Sequence, residues 1–136
     1  MKAAVLYKHK TKLKVLNNIQ VPKLKSLQVL VRIIYTSICG SQVFEIEGKR
    51  GNNKFLPHML GHEASGVILE IGKNVKHLKV GDKVFLSWIK NDHEDAEKPL
   101  YIFKKKRINA GNITTFSNVS IISSNRVNKI PKGISL

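Results

Sequence analysis

The sequence predicts a mainly β domain, built as a barrel or a sandwich. Three observations lead there. Short runs of β-branched, aliphatic and aromatic residues recur along the chain, most clearly Gln28-Val29-Leu30-Val31-Arg32-Ile33-Ile34-Tyr35-Thr36-Ser37-Ile38. Gly, Pro, Asn and Asp punctuate these runs at intervals of about 8–12 residues, the spacing of short strands joined by tight turns. Helix is scarce. At 136 residues the prior is one domain, 1–136, long enough to bury a core without disulfides.

In chain order, residues 2–7 read as a first strand and 13–21 as a second, broken at Asn17-Asn18, with a hairpin through 9–11 between them. Pro22 and the lysines after it make a loop. The run from Gln28 to Ile38 is the strongest strand in the chain, and Cys39 lies where it ends. Residues 41–47 suit one or two helical turns with Ser41 as N-cap. A polar loop over 48–54 leads through Phe55-Leu56-Pro57 into Gly61-His62-Glu63. An apolar strand comes next, from Val67 to Ile71. The chain turns at Gly72-Lys73-Asn74, runs back, turns again at Gly81-Asp82 and enters a strand from Val84 to Trp88. Residues 90–98 are polar, Pro99 breaks them, and Lys104-Lys105-Lys106-Arg107 is an exposed charge run. Residues 115–122 and 126–130 read as closing strands. The count is about seven or eight strands.

Composition narrows the function classes. With 42% hydrophobic and 24% charged residues, the chain has the make-up of a folded globular domain. No apolar run approaches the roughly 20 residues of a membrane-spanning helix. The apolar run after Met1-Lys2 is too short for a signal peptide. The cytosol is the expected compartment, and no membrane partner is expected. The net charge of +15, from 24 Lys and Arg against 9 Asp and Glu, raises a nucleic-acid reading. The charge is mostly lysine and is spread along the chain, and no nucleic-acid-binding motif accompanies it. Solvated faces are the expected outcome, with no specific nucleic-acid partner. The single cysteine, Cys39, excludes an internal disulfide and a four-cysteine zinc site.

Chemistry concentrates at Cys39, His62 and Glu63. They offer a thiolate, an imidazole and a carboxylate, all of which zinc accepts. Adjacent residues of a strand point to opposite faces, so His62 and Glu63 need a bend to face one metal, and Gly61 permits one. Around these residues stand Cys39-Gly40-Ser41, Gly61-His62-Glu63, Val80-Gly81-Asp82-Lys83-Val84, the block 110–116 and the block 125–131. In this order and spacing they resemble the catalytic domain of zinc-containing alcohol dehydrogenases, the medium-chain dehydrogenase/reductase family. The resemblance covers nearly the whole chain apart from about residues 90–107.

The resemblance implies a GroES-like partly open β-barrel with a few short helices. It implies one catalytic Zn2+ held by Cys39, His62 and Glu63, ranked in that order. Glu63 would be a direct ligand, a transient one or a group behind the ligands, according to subfamily. Ser41 would pass the alcohol proton toward solvent, with a helix N-cap as its plainer role. Gln42 stands where the family commonly has an Asp that hydrogen-bonds the zinc-bound histidine. It is expected to accept a hydrogen bond from the ring and orient it without adding charge. Phe44 stands where some relatives carry a relay histidine. His58 is expected to pack or lie in a loop, and His77 to be exposed. The cysteine-rich lobe of many relatives has no counterpart in 90–107, and no Gly-x-Gly-x-x-Gly is present.

The implied function is therefore the catalytic-domain portion of a zinc-dependent alcohol or polyol dehydrogenase. It would act on small alcohols or carbonyls, with NAD or NADP held by a Rossmann domain absent from this chain. Alone, these residues would be inactive, and the full-length protein would be free to form oligomers. Two rivals stand beside this reading: a zinc-free reductase of the same superfamily, and a non-catalytic GroES-like β-barrel binding module.

Overall fold

The computed structural model describes residues 1–51 and 54–136. They form ten strands and one α-helix, arranged as two five-stranded sheets that curl into a partly open barrel. One sheet has the order β2-β1-β4-β8-β7. Its strands are β1 (Ala3–Leu6), β2 (Lys14–Leu16), β4 (His58–Met59), β7 (Leu100–Phe103) and β8 (Lys106–Asn109). The other has the order β10-β6-β5-β3-β9. It comprises β3 (Gln28–Thr36), β5 (Ala64–Ile71), β6 (Lys83–Leu86), β9 (Val119–Ser123) and β10 (Val127–Lys129). Helix α1 (Gly40–Ile46) comes directly after β3.

The long strand β3 explains where the site sits. Its first residues, Gln28, Val29 and Val31, are buried between β5 and β9, while Tyr35 and Thr36 at its far end are exposed. One strand therefore runs from the core to the rim, and it delivers the chain to Cys39 there. Its pairing with β5 shifts register between Leu30 and Val31 and again between Ile33 and Tyr35. Such bulges twist a strand and re-aim its far end. Gly66 allows the close approach, because a Cβ there would lie 2.2 Å from the Arg32 carbonyl oxygen.

Two apolar clusters hold the sheets. Val29, Val31, Ile68, Leu86 and Ile122 centre one, and Val5, Met59, Tyr101, Ile108 and Ile121 centre the other. Tyr101 is fully buried, and burial raises its phenol pKa. Its hydroxyl accepts the Ile121 N–H at 2.8 Å, so the polar end of this large side chain is satisfied inside the core.

Several expectations shift. The second strand shrinks from 13–21 to three residues, because Asn18 adopts a positive φ of 61°. The return run after Gly72 is loop, although Val75 and Leu78 still bury against the core. The charge run hides a hairpin: Lys104 and Lys105 turn at φ 47° and 64° between β7 and β8. Positive φ is a glycine or asparagine position, so two lysines carry no turn signal. The loop expected over 48–54 includes residues 52 and 53, which lie outside the described residues. No helix among the described residues is long and apolar enough to cross a membrane.

The segment 90–99, where the sequence shows only polarity, is held by buried polar side chains, Asn125 and Ser123 foremost. Asn125 is fully buried and donates through Nδ2 to the His93 carbonyl and to Asp95 Oδ1, both at 3.0 Å. Ser123 Oγ donates to Asn125 Oδ1 at 2.7 Å and accepts the Ala96 N–H at 2.8 Å. Hydrogen bonds from Lys90 and Asn125 hold the Asp95 carboxyl well below the usual carboxylate range.

Candidate functional site

The site is built where β3 ends, α1 begins and the segment before β5 returns. Cys39, not Ser41, is the N-cap of α1. The reason lies in Gln42, whose side-chain Oε1 accepts the Cys39 backbone N–H at 2.7 Å. That bond satisfies the donor just ahead of the helix, the reciprocal half of a capping box. Ser41 is released from the cap. Its hydroxyl and its backbone N–H hydrogen-bond the Cys39 sulfur, which lowers the thiol pKa despite the opposing charge of Glu63. A sulfur so placed leans toward thiolate, the form that binds metal.

Gln42 is only 4% exposed and has a second neighbour. Its Nε2 lies 2.7 Å from Nδ1 of His62. One side chain thus brackets Cys39 and His62, which are far apart in sequence. The amide nitrogen faces the ring, so Gln42 donates where the sequence has it accept.

Gly61 sets the approach to His62. Its φ is +93°, and a Cβ there would lie 2.3 Å from Thr115 Oγ1 and 2.8 Å from the Phe116 backbone nitrogen. Only glycine fits both the conformation and the space. The backbone N–H groups of Thr115 and Phe116 both bond the Leu60 carbonyl at 3.0 Å. Beyond the bend, the Glu63 carbonyl accepts Thr36 Oγ1 at 2.9 Å and the Ser37 N–H at 3.2 Å. The strap from 60 to 63 is therefore pinned at both ends.

His62 and Glu63 line two different hollows. His62 lines a cavity of about 200 Å³ shared with Ser41, Gln42, Glu45 and His58. Glu63 lines an open cleft of about 520 Å³ with Tyr35, Ser37, Phe85 and Ser87, and its Oε2 accepts Ser37 Oγ at 2.9 Å. Among the described residues, no group of three or more His, Cys, Asp or Glu side chains stands close enough to hold a metal ion. The chemistry of the donor set nevertheless fits zinc: a thiol shifted toward thiolate, an imidazole and a carboxylate at one end of the barrel.

Other histidines take roles the sequence did not reveal. His58 Nε2 lies 2.9 Å from Glu45 Oε1, tying β4 to α1, and that hydrogen bond lowers the Glu45 pKa. His77 is half-buried, not exposed, and stacks on His93 with ring centroids 4.1 Å apart. Burial lowers its pKa. Ser37, which positions Glu63, carries no motif signal, whereas Thr115, which pins the strap, falls within the 110–116 block. Only its nearness in sequence to Cys39 points to Ser37.

Comparison with known proteins agrees with this architecture. The sequence profile of the alcohol dehydrogenase GroES-like domain matches residues 25–132. An alcohol dehydrogenase of Geobacillus stearothermophilus is 40% identical over 89 residues, which are 65% of this chain and 26% of that protein. A D-arabitol-phosphate dehydrogenase of Enterococcus avium is 42% identical over 67 residues, 49% of this chain and 19% of that one. An alcohol dehydrogenase zinc-binding domain protein from Burkholderia ambifaria superposes with a TM-score of 0.84 at 21% identity, over 97% of this chain and 42% of its own. The match thus spans about a quarter or less of the curated relatives' length. On the extent of the profile match, the chain belongs to the alcohol dehydrogenase GroES-like domain family.

Proposed function

We propose that residues 1–136 are the catalytic-domain portion of a zinc-dependent alcohol or polyol dehydrogenase. The observation that carries this is the meeting of Cys39 and His62 at the rim of the family's domain, both within reach of Gln42 although 23 positions apart in sequence. Cys39 and His62 are the firmest metal ligands, and Glu63 is the third candidate. Zinc bound there supplies Lewis-acid polarisation of an alcohol or carbonyl oxygen.

The chain's own residues supply the setting. In this reading the Ser41 hydroxyl, which hydrogen-bonds the Cys39 sulfur, passes the alcohol proton toward solvent. Ser37 and Thr36 fix Glu63 through its carboxylate and its carbonyl. The open cleft at Tyr35, Phe85 and Ser87 gives a small alcohol or carbonyl room beside Glu63. The hydride acceptor is NAD or NADP, held by a nucleotide-binding domain outside these residues. A cytoplasmic setting goes with this reading, and these residues alone carry no turnover.

One observation favours a second reading, a binding module that kept the fold without the chemistry: His62 and Glu63 face different hollows. Zinc content of the purified, metal-repleted protein separates the two, with Cys39→Ala as control. Stoichiometric zinc that is lost in Cys39→Ala supports the dehydrogenase reading. A metal-free native protein removes the metal chemistry and leaves the binding module and the zinc-free reductase.

A further inference from the structure

We propose that Gln42 holds His62 in the tautomer with its proton on Nε2, so that metal uptake requires the Gln42 amide to turn over and release the Cys39 N–H. The consequence for metal rests on the zinc reading above; the tautomer does not.

The backbone N–H of Cys39 can only donate. It points at Gln42 at 2.7 Å, so the oxygen end of the amide must face it. The nitrogen end then faces Nδ1 of His62 at 2.7 Å. An amide nitrogen has hydrogens and no acceptor. Nδ1 must therefore present its lone pair, and a neutral ring then carries its hydrogen on Nε2.

Metal needs a bare ring nitrogen. Nδ1 is covered by Gln42. Ligation through Nε2 moves the proton to Nδ1, where it meets the amide hydrogens donor against donor. A half-turn of the amide heals that contact but points its hydrogens at the Cys39 N–H. Gln42 is 4% exposed, so the group left over has little solvent to turn to. No orientation of a glutamine amide satisfies both neighbours once Nε2 is occupied. A carboxylate of the same shape does, since both oxygens accept. Gln42 is thus a positioning residue that weakens the site for metal, and Gln42→Glu relieves the conflict.

The test uses the 136-residue chain labelled with 15N-histidine, metal-free and at mildly alkaline pH, with His62→Asn to assign the signal. The expected spectrum shows His62 protonated at Nε2 in the native chain and at Nδ1 in Gln42→Glu. Competition for Zn2+ against a chromophoric chelator should then show Gln42→Glu binding roughly 10–100-fold tighter, the range in which partners of ligating histidines act. Phe44→Glu adds a carboxylate to an exposed position of the same helix and controls for charge alone. An Nδ1-protonated His62 in the native chain overturns the proposal, and this is read without any variant. An equal gain in Phe44→Glu overturns the effect on affinity. A tautomer that switches while no form binds zinc upholds Gln42's hold on His62 and removes the metal reading instead.

Discussion

Replacing Asn125 by Ala tests how a segment with no sequence pattern is kept in one place. Three hydrogen bonds go: those to the His93 carbonyl, to Asp95 and from Ser123. Each ordinary bond contributes about 0.5–1.5 kcal/mol net, and a buried donor left unpaired costs about 1–3 kcal/mol. Ser123 Oγ is such a donor, since the whole Ser123 side chain lies in a buried setting. The bond to Asp95 counts for little, because that carboxylate is open to solvent. The sum is a loss of about 2–4 kcal/mol, a large part of the roughly 5–15 kcal/mol of a typical domain. Urea unfolding followed by circular dichroism measures it. Amide exchange adds a local reading: the amides of Ala96 and Asn91, which bond Ser123 Oγ and the Asn125 carbonyl, should exchange faster than those of β3. A loss below about 0.5 kcal/mol, with Ala96 still protected, would refute the role given to Asn125.

Three further outcomes are expected. Gly61→Ala should lose about 3 kcal/mol or more in urea unfolding, from the cost of positive φ and from a Cβ 2.8 Å from the Phe116 nitrogen; a loss under about 1 kcal/mol would mean the strap gives way freely. Replacing Lys104-Lys105 by Asn-Gly should stabilise by about 1 kcal/mol, because both lysines sit at positive φ, and an unchanged melting temperature would contradict it. The third concerns acid. His58 lowers the Glu45 pKa in the folded state, so the stability from this carboxylate is fully present above the unfolded glutamate value. It is lost as pH falls through the lowered folded value. Glu45→Gln should flatten that acid limb of the stability curve in urea unfolding across the acid range, and an unchanged limb would contradict the pairing.

What the sequence showed and what it hid divide along a physical line. The Gln28–Ile38 run is legible as a strand because β-branched, aliphatic and aromatic residues follow one another there, whether buried as at Val29 or exposed as at Tyr35, and β3 occupies most of it. Gly61 is legible as a bend because only one residue type tolerates φ +93° against Thr115. The β7–β8 hairpin is not, since its turn is made by lysines that tolerate positive φ at a cost, leaving no composition mark. The clamp on 90–99 is hidden for another reason. Asn125 and Ser123 are common loop residues, and their value comes from full burial beside partners about 30 residues away.

The site divides in the same way. Cys39, His62 and Glu63 are visible because their chemistry is rare and because the glycine before His62 is fixed by geometry. What no residue type announces is the direction of a hydrogen bond. Glutamine differs from aspartate in that one of its two ends cannot accept. Whether this matters depends on what each end meets. Here one end meets the Cys39 N–H, which can never turn around, so the other end is committed to donate to His62. A substitution that looks like a modest loss of charge thereby selects which nitrogen of the histidine is free. The selection is made by a helix cap, a feature of local folding, acting on a ring at the end of a strap from another part of the chain.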